Sequence, residues 1–254
     1  MGNLFKKQKD ELEPTFVFDV LEIDKIRKEC TKKIQDKLSI MSLEEIDKEA
    51  NIYFINRDEI IRDGKDVNVY NEIEDKQYDV EAKRNSYKTE LILKEIHKGL
   101  KERYPEEIVN EPKWFWNNVG GTYCRIAILA FSLNEYLALW GTNVPQTGFS
   151  GVYPYMDVYD IMVTGKMYSF ENESDSSNPI IYTPDDKISY LKKGKSKVYQ
   201  MEPYTYMLDL GQGKVTPSFW SGVIAPFLFD NHDWRSLIGQ ISVPFERIRN
   251  ELFN

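Results

Sequence analysis

Residues 132–165 read SLNEYLALWGTNVPQTGFSGVYPYMDVYDIMVTG, and this stretch decides the fold. Short runs rich in Leu, Ile, Val, Tyr and Phe are broken by Gly141, Pro145, Gly148, Gly151 and Gly165. That rhythm is the pattern of short strands joined by turns. Yet Glu135, Asp157 and Asp160 lie inside the apolar run. Residues 204–217 (YTYMLDLGQGKVTP) repeat the oddity, with Asp209 between Leu208 and Leu210. A carboxylate buried among apolar side chains must be paired, hydrogen-bonded or protonated. These acids are therefore the first candidates for function, and the rest of the chain reads as a shell around them.

Working outward, the β pattern runs from Thr122 to Tyr206, and strands at this spacing suit a barrel or a sandwich equally. Upstream, Trp114, Phe115 and Trp116 lead to a turn at Gly120 and Gly121. Before that, Leu93, Ile96 and Leu100 line one face of an amphipathic helix expected over Thr89–Tyr104, which Pro105 ends. Ile23, Ile26, Cys30 and Ile34 give a first helix within Thr15–Leu38. Ser42 and Glu45 form a capping box that opens a second. From Ser42 to about Tyr87 the chain is rich in charge, which reads as solvated surface or as a docking arm. Downstream, Phe219–Phe229 carries no charge until Asp230, and Trp234–Phe253 places Leu237, Ile241, Phe245, Ile248 and Leu252 on one face, with a kink expected at Pro244. The domain reading is a polar tail over residues 1–14 followed by a single domain over 15–254.

Composition excludes several classes of function. The 254 residues carry 33 Lys and Arg against 41 Asp and Glu, a net charge of -8, with no basic stripe, so nucleic acid is not an expected partner. Cys30 and Cys124 are too few for a disulfide framework. His97 and His232 are far apart, so no metal site is expected. No dinucleotide fingerprint, P-loop or nucleophile elbow is present, and no cofactor is called for. The most apolar run, Ile126–Trp140, is short and contains Asn134 and Glu135, so no transmembrane helix is expected. The first residues, MGNLFKKQKDELEP, read as neither a signal nor a transit peptide. Gly2 raises N-myristoylation, but position 6 is Lys where that motif asks for Ser or Thr.

SLNEYLALWGT, GFSGVY, the Asp157–Gly165 segment, YTPDDKISYLKKG and LDLGQG together resemble the family of fungal sterol C-8 isomerases and the animal sigma-one receptor. TFVFDVLEIDKIRK and LKERYPEEIVNEPKWFWNNVGG resemble it in the same order upstream. The family lacks most of the charged stretch from Ser42 to about Tyr87, so the resemblance implies that this stretch is an insertion. The resemblance implies an α+β fold: a cupin-like β-barrel with N-terminal helices, covered by two C-terminal amphipathic helices that rest on a membrane surface. It implies that the functional acids fall on Asp209 and on Asp160, with Asp157 as the alternative position. Tyr136 would hydrogen-bond to them, Glu135 would be the adjoining structural glutamate, and Trp140 and Tyr206 would offer aromatic faces to a ligand. The ligand implied is a sterol or an amphiphilic amine. The partners implied are a homotrimer or a larger protein complex. The location implied is membrane-associated, at the endoplasmic reticulum, with a mitochondrial membrane complex as the alternative.

Strand alternation adds a constraint: residues 157 and 160 point to opposite faces unless a bulge intervenes, so one of them at most shares a pocket with Asp209. Two close carboxylates in an apolar barrel would share a proton. An acid kept neutral in this way could protonate a ring alkene, and a base could remove a proton from the other side of the carbocation, moving the double bond. The same pocket would hold an aliphatic ammonium ion. The chain departs from the family pattern at Asp209, where the family has Glu, at Ala130 for a frequent His, at Cys124 for Gly with Arg125 after it, and at Pro226 for an acid. The family's N-terminal membrane anchor is not expected here. Three functions follow. An isomerase needs an apolar cavity holding both acids. A binding module needs the same cavity with an ionised Asp209. A structural subunit that keeps only the fold would have a blocked cavity.

Overall fold

The computed structural model describes residues 15–62, 80–119, 122–171 and 178–220, with scattered positions between 224 and 245. The polar tail, most of the charged stretch over 63–79, the Gly120–Gly121 turn, Pro226 and most of the C-terminal segment lie outside the described residues.

Three helices come first: α1 (Val20–Ser39), α2 (Leu43–Arg62) and α3 (Val80–Arg103). Asp19 starts α1 by accepting from the N–H groups of Leu21 and Glu22, two donors that a helix start leaves without partners. The capping box at α2 forms as expected, with Ser42 N–H donating to Glu45 Oε2 (2.8 Å) and Glu45 N–H to Ser42 Oγ (3.2 Å). Helix α3 begins nine residues earlier than the apolar spacing predicts. Its first turns are held by polar contacts to α2, which apolar spacing does not register: Arg84 to Asp47 (2.7 Å) and Tyr87 Oη to Glu49 (2.6 Å). Ile46 and Ala50 of α2 are also buried in the core, so this part of the charged stretch is packed structure.

Ten strands follow: β1 (Phe115–Val119), β2 (Thr122–Phe131), β3 (Glu135–Thr142), β4 (Gln146–Phe149), β5 (Met156–Thr164), β6 (Met167–Glu171), β7 (Ile180–Tyr182), β8 (Ser189–Leu191), β9 (Lys197–Met201) and β10 (Thr205–Gly213). A short helix, α4 (Val215–Phe219), closes the series. The described pairings are antiparallel and make two sheets, β1-β2-β3-β10-β5-β8 and β4-β9-β6-β7. The sheets face each other: Met162 and Met207 of the larger pack against Met167, Tyr182, Tyr199 and Met201 of the smaller. The fold is thus α+β, with a barrel-like double sheet and helices on one side of it.

Alternation gives the six-stranded sheet two unlike faces. Leu129, Leu137, Leu139, Ile161, Val163, Tyr206, Leu208 and Leu210 pack on the helices, where Ile23, Ile96 and Leu100 are fully enclosed. Their neighbours in sequence look the other way, into the space between the sheets. Ala130 joins the helix face through an irregularity in β2 between Ile128 and Ala130.

Candidate functional site

The space between the sheets is an apolar cavity of about 110 Å³. Ile128, Tyr136, Ala138, Trp140, Val158 and Asp160 line it from the larger sheet, with Asp209, and Met167, Lys197 and Tyr199 from the smaller. Val215 and Ser218 of α4 line it as well. Both expected acids are therefore inside. They are also directly opposite each other, because β10 pairs with β5 in the register Asp209↔Asp160. Directly opposed residues project from the same face with Cβ atoms about 5 Å apart.

Tyr136 reaches Asp209 from β3. Its Oη lies 3.1 and 3.0 Å from the two carboxyl oxygens and donates to them. The ring can lie flat over β10 because its register partner is Gly211. A Cβ at position 211 would come within 2.2 Å of Tyr136 Cε1, so the glycine of LDLGQG is required by the tyrosine that serves the acid.

Asp160 has partners of its own. Ser189 Oγ, its register neighbour on β8, donates to Oδ2 (3.0 Å). The Lys197 ammonium, arriving from β9 in the other sheet, donates to the same oxygen and to Ser189 Oγ (2.7 Å). Asp160 and Lys197 are only 4% and 7% exposed, so this ion pair is sealed in the interior. The two acids are therefore not equivalent. Burial and the negative charge of Asp160 push the Asp209 carboxyl from 3.8 up to about 8, against the smaller opposing effects of Tyr136 and Lys197. Asp209 is thus predominantly protonated at neutral pH. The equal sharing of a proton expected from sequence gives way to a division of labour, because Lys197 neutralises one acid and leaves the other to keep its proton. Burial and Asp209 likewise hold the Tyr136 phenol far above its ordinary range, so it acts as a donor. Burial raises the Cys124 thiol to about 12, which leaves it inert in the cavity wall.

Three sequence candidates lie outside the cavity. Asp157, three residues before Asp160 on β5 and so of opposite parity, faces away from the cavity. Its Oδ1 accepts from Tyr190 Oη (3.1 Å) and from Lys193 N–H (2.8 Å), which fastens the β8 turn. Tyr206 belongs to the helix face, edge-on to Trp114 with ring centroids 6.2 Å apart, and donates to Asn143 Oδ1 (2.9 Å). Glu135, one residue before Tyr136, points to the helix side and accepts from the N–H groups of Val17 (2.8 Å) and Phe18 (3.3 Å). It clamps the chain leading into α1. Trp140 does line the cavity, edge-on to Tyr199 at 5.9 Å, and its buried Nε1–H has no hydrogen-bond partner.

Sequence reasoning missed Lys197, Ser189 and Tyr199. Lys197, Tyr199 and Met201 share a parity on β9 and all three are buried, an arrangement that only the structure reveals. Among the described residues no group of His, Cys, Asp and Glu could hold a metal ion, and no helix is long and apolar enough to cross a membrane. The described C-terminal positions Trp234, Leu237, Ile238 and Phe245 are helical; Leu237 is buried, while Trp234, Ile238 and Phe245 are exposed.

Comparison with known proteins places this geometry. The family model described as ERG2 and Sigma1 receptor like protein matches residues 66–254. An erg2 homolog of Dictyostelium discoideum is 38% identical over 120 residues, covering 47% of this chain and 50% of that protein. The sigma non-opioid intracellular receptor 1 of Gallus gallus is 30% identical over 150 residues, covering 58% and 65%. The C-8 sterol isomerase ERG2 of Gibberella zeae is 28% identical over 134 residues, covering 53% and 55%. The chain thus spans between half and two thirds of the length of these relatives. Among solved structures it resembles KdgF from Halomonas sp. (14% identity, TM-score 0.36, 44% of this chain and 99% of that one). It also resembles the cupin domain of Cnp3 from Schizosaccharomyces pombe (7% identity, TM-score 0.32, 37% and 64%).

Proposed function

The chain belongs to the ERG2 and Sigma1 receptor like family, and from that premise we propose that its cavity binds a sterol-like apolar ligand and shifts a ring double bond through a carbocation. Asp209 is the acid: its neutral carboxyl faces an apolar wall and gives its proton to one alkene carbon. The carboxylate left behind accepts from Tyr136 Oη and lies within the field of Lys197, which stabilises it. Asp160 is the base that takes a proton from the carbon on the far side of the cation. Exchange with solvent between turnovers removes that proton and reloads Asp209, so protons balance and no cofactor is consumed. The observation that carries the reading is two carboxyls, one of them ion-paired, facing each other across strands in an apolar cavity. A four-ring ligand needs a pocket nearer roughly 300 Å³ or more, so its admission requires the α4 end of the cavity, at Val215 and Ser218, to yield.

The test is incubation with a detergent-solubilised sterol carrying the ring alkene, in deuterium oxide, followed by mass spectrometry. The double bond should move with uptake of one deuterium. Asp209→Asn should slow this at least about 100-fold. A folded wild-type protein that neither shifts the bond nor exchanges deuterium would leave only binding, a reading that the Lys197–Asp160 pair favours because it already occupies the Asp160 carboxylate.

Exposed Trp220, Trp234, Ile238 and Phe245 support a membrane-surface contact for the C-terminal segment, which vesicle flotation would check. An endoplasmic-reticulum location and a trimer belong to the same proposal, to be checked by microscopy of tagged protein and by sedimentation. The mitochondrial alternative finds no support.

A further inference from the structure

We propose that Lys197 is a built-in cation of the cavity, so that the site selects neutral apolar molecules carrying a hydroxyl or carbonyl oxygen and rejects cationic amphiphiles. The inference rests on the reading of the cavity as a ligand site and says which chemical class that site takes. It follows from counting charge and hydrogen-bonding groups along the wall.

Asp160 is the acid of the cavity that is held in an ion pair, and its partner is already present: Lys197 Nζ donates to Asp160 Oδ2 and to Ser189 Oγ (2.7 Å). The ammonium comes from the smaller sheet and the carboxylate from the larger, so the pair bridges the two walls. With Asp209 protonated, Asp160, Lys197 and Asp209 sum to zero charge. A ligand ammonium entering here would leave water for a site whose negative charge is already matched. It would also come close to a second ammonium in a medium that screens poorly. That is repulsion against one class of ligand.

The unfilled valences point the same way. The Trp140 Nε1–H is buried without an acceptor, in a residue that lines the cavity. The neutral Asp209 carboxyl carries an O–H of its own. Both are donors, and an alkylammonium ion can accept from neither, because its nitrogen has no lone pair. An alcohol or ketone oxygen can accept from either. Apart from the hydroxyls of Ser150, Tyr153, Tyr199 and Ser218, the rest of the wall is largely apolar, with Ile128, Ala138, Met156, Val158 and Leu191. The ligand class is therefore a rigid hydrocarbon body with one neutral oxygen.

The experiment compares two probes of one ring skeleton: a sterol bearing a hydroxyl, and the same sterol with a dimethylamino group in its place. Binding of each to the full chain is measured by equilibrium dialysis at pH 7. The wild type should prefer the alcohol by at least about tenfold. Lys197→Gln keeps a donor to Asp160 but removes the charge, and it should raise amine affinity relative to alcohol affinity by at least about tenfold. Circular dichroism checks that the variant folds. If it does not, the wild-type preference decides alone. Equal or tighter amine binding by the wild type overturns the inference while leaving the cavity a ligand site. Failure of both probes to bind a folded wild type overturns the ligand-site reading itself, and this inference with it.

Discussion

The two faces of the six-stranded sheet are built from the same strands, yet they have opposite characters. Toward the helices, β10 presents Tyr206, Leu208 and Leu210, and β5 presents Ile161 and Val163, into a dry core. Toward the smaller sheet the same strands present Met207 and Asp209, and Met156, Val158, Asp160 and Met162. One face holds the helices on mainly by apolar burial, helped by the Arg125–Glu90 ion pair and the Glu135 clamp. The other tolerates two acids and a lysine in its interior, a cost that only the first face's stability can carry. Division by alternation lets the chemistry vary without touching the packing, because every second residue belongs to the other face.

The largest expected effect that tests this division is the pH dependence of stability. The folded chain holds the Asp209 proton with a pKa of about 8, whereas the unfolded chain releases it near 3.8. Between those values the folded state binds more protons, so this group's contribution is full below about pH 4 and is lost as pH rises through about 8, on the order of 5 kcal/mol in all. Denaturant melts of wild type and Asp209→Asn across pH 4 to 9 should converge at low pH and separate at high pH, with the variant more stable there. Parallel curves would mean that Asp209 is ionised throughout, and the two faces would differ less than described. Next in size, Leu208→Ala on the opposite face should cost about 3 kcal/mol at every pH, with the Asp209 pH dependence unchanged. A change in that dependence would show that the faces are coupled. The smallest effect is expected at Asp157, whose hydrogen bonds from Tyr190 and Lys193 are solvent-exposed. Asp157→Ala should lower stability by less than about 1 kcal/mol and leave double-bond turnover as it is. Lost turnover would put Asp157 back into the site.

Parity also explains what the sequence made legible. The helices and the β region show in apolar spacing, and alternation separates Asp157 from Asp160 without any structure. The same rule, applied further, would have removed Tyr206, which shares its parity with Leu208 and Leu210, and Glu135, one step from Tyr136. Lys197 was harder. A lysine is ordinarily a surface residue, and its partner Asp160 lies 37 residues earlier on a strand of the other sheet. Only the facing of the two sheets brings the pair together, and facing is a property of the closed fold that no local pattern carries. The early start of α3 escaped for a related reason, since its first turns are held by Asp47 and Glu49 on a neighbouring helix.

The position of β10 also governs the order of assembly. The last strand among the described residues is a middle strand of the larger sheet, inserted between β3 and β5. On a ribosome, a chain that has emerged only as far as Met201 carries the other described strands, and β3 and β5 have open edges where β10 belongs. Such edges are where strands of other chains pair. Asp160, Lys197 and Tyr136 are all present in that nascent chain, while the proton-bearing acid arrives with the closing strand. Completion of the site and completion of the sheet are thus one event, late and non-local, which sets a slow folding step and a period of exposure to aggregation.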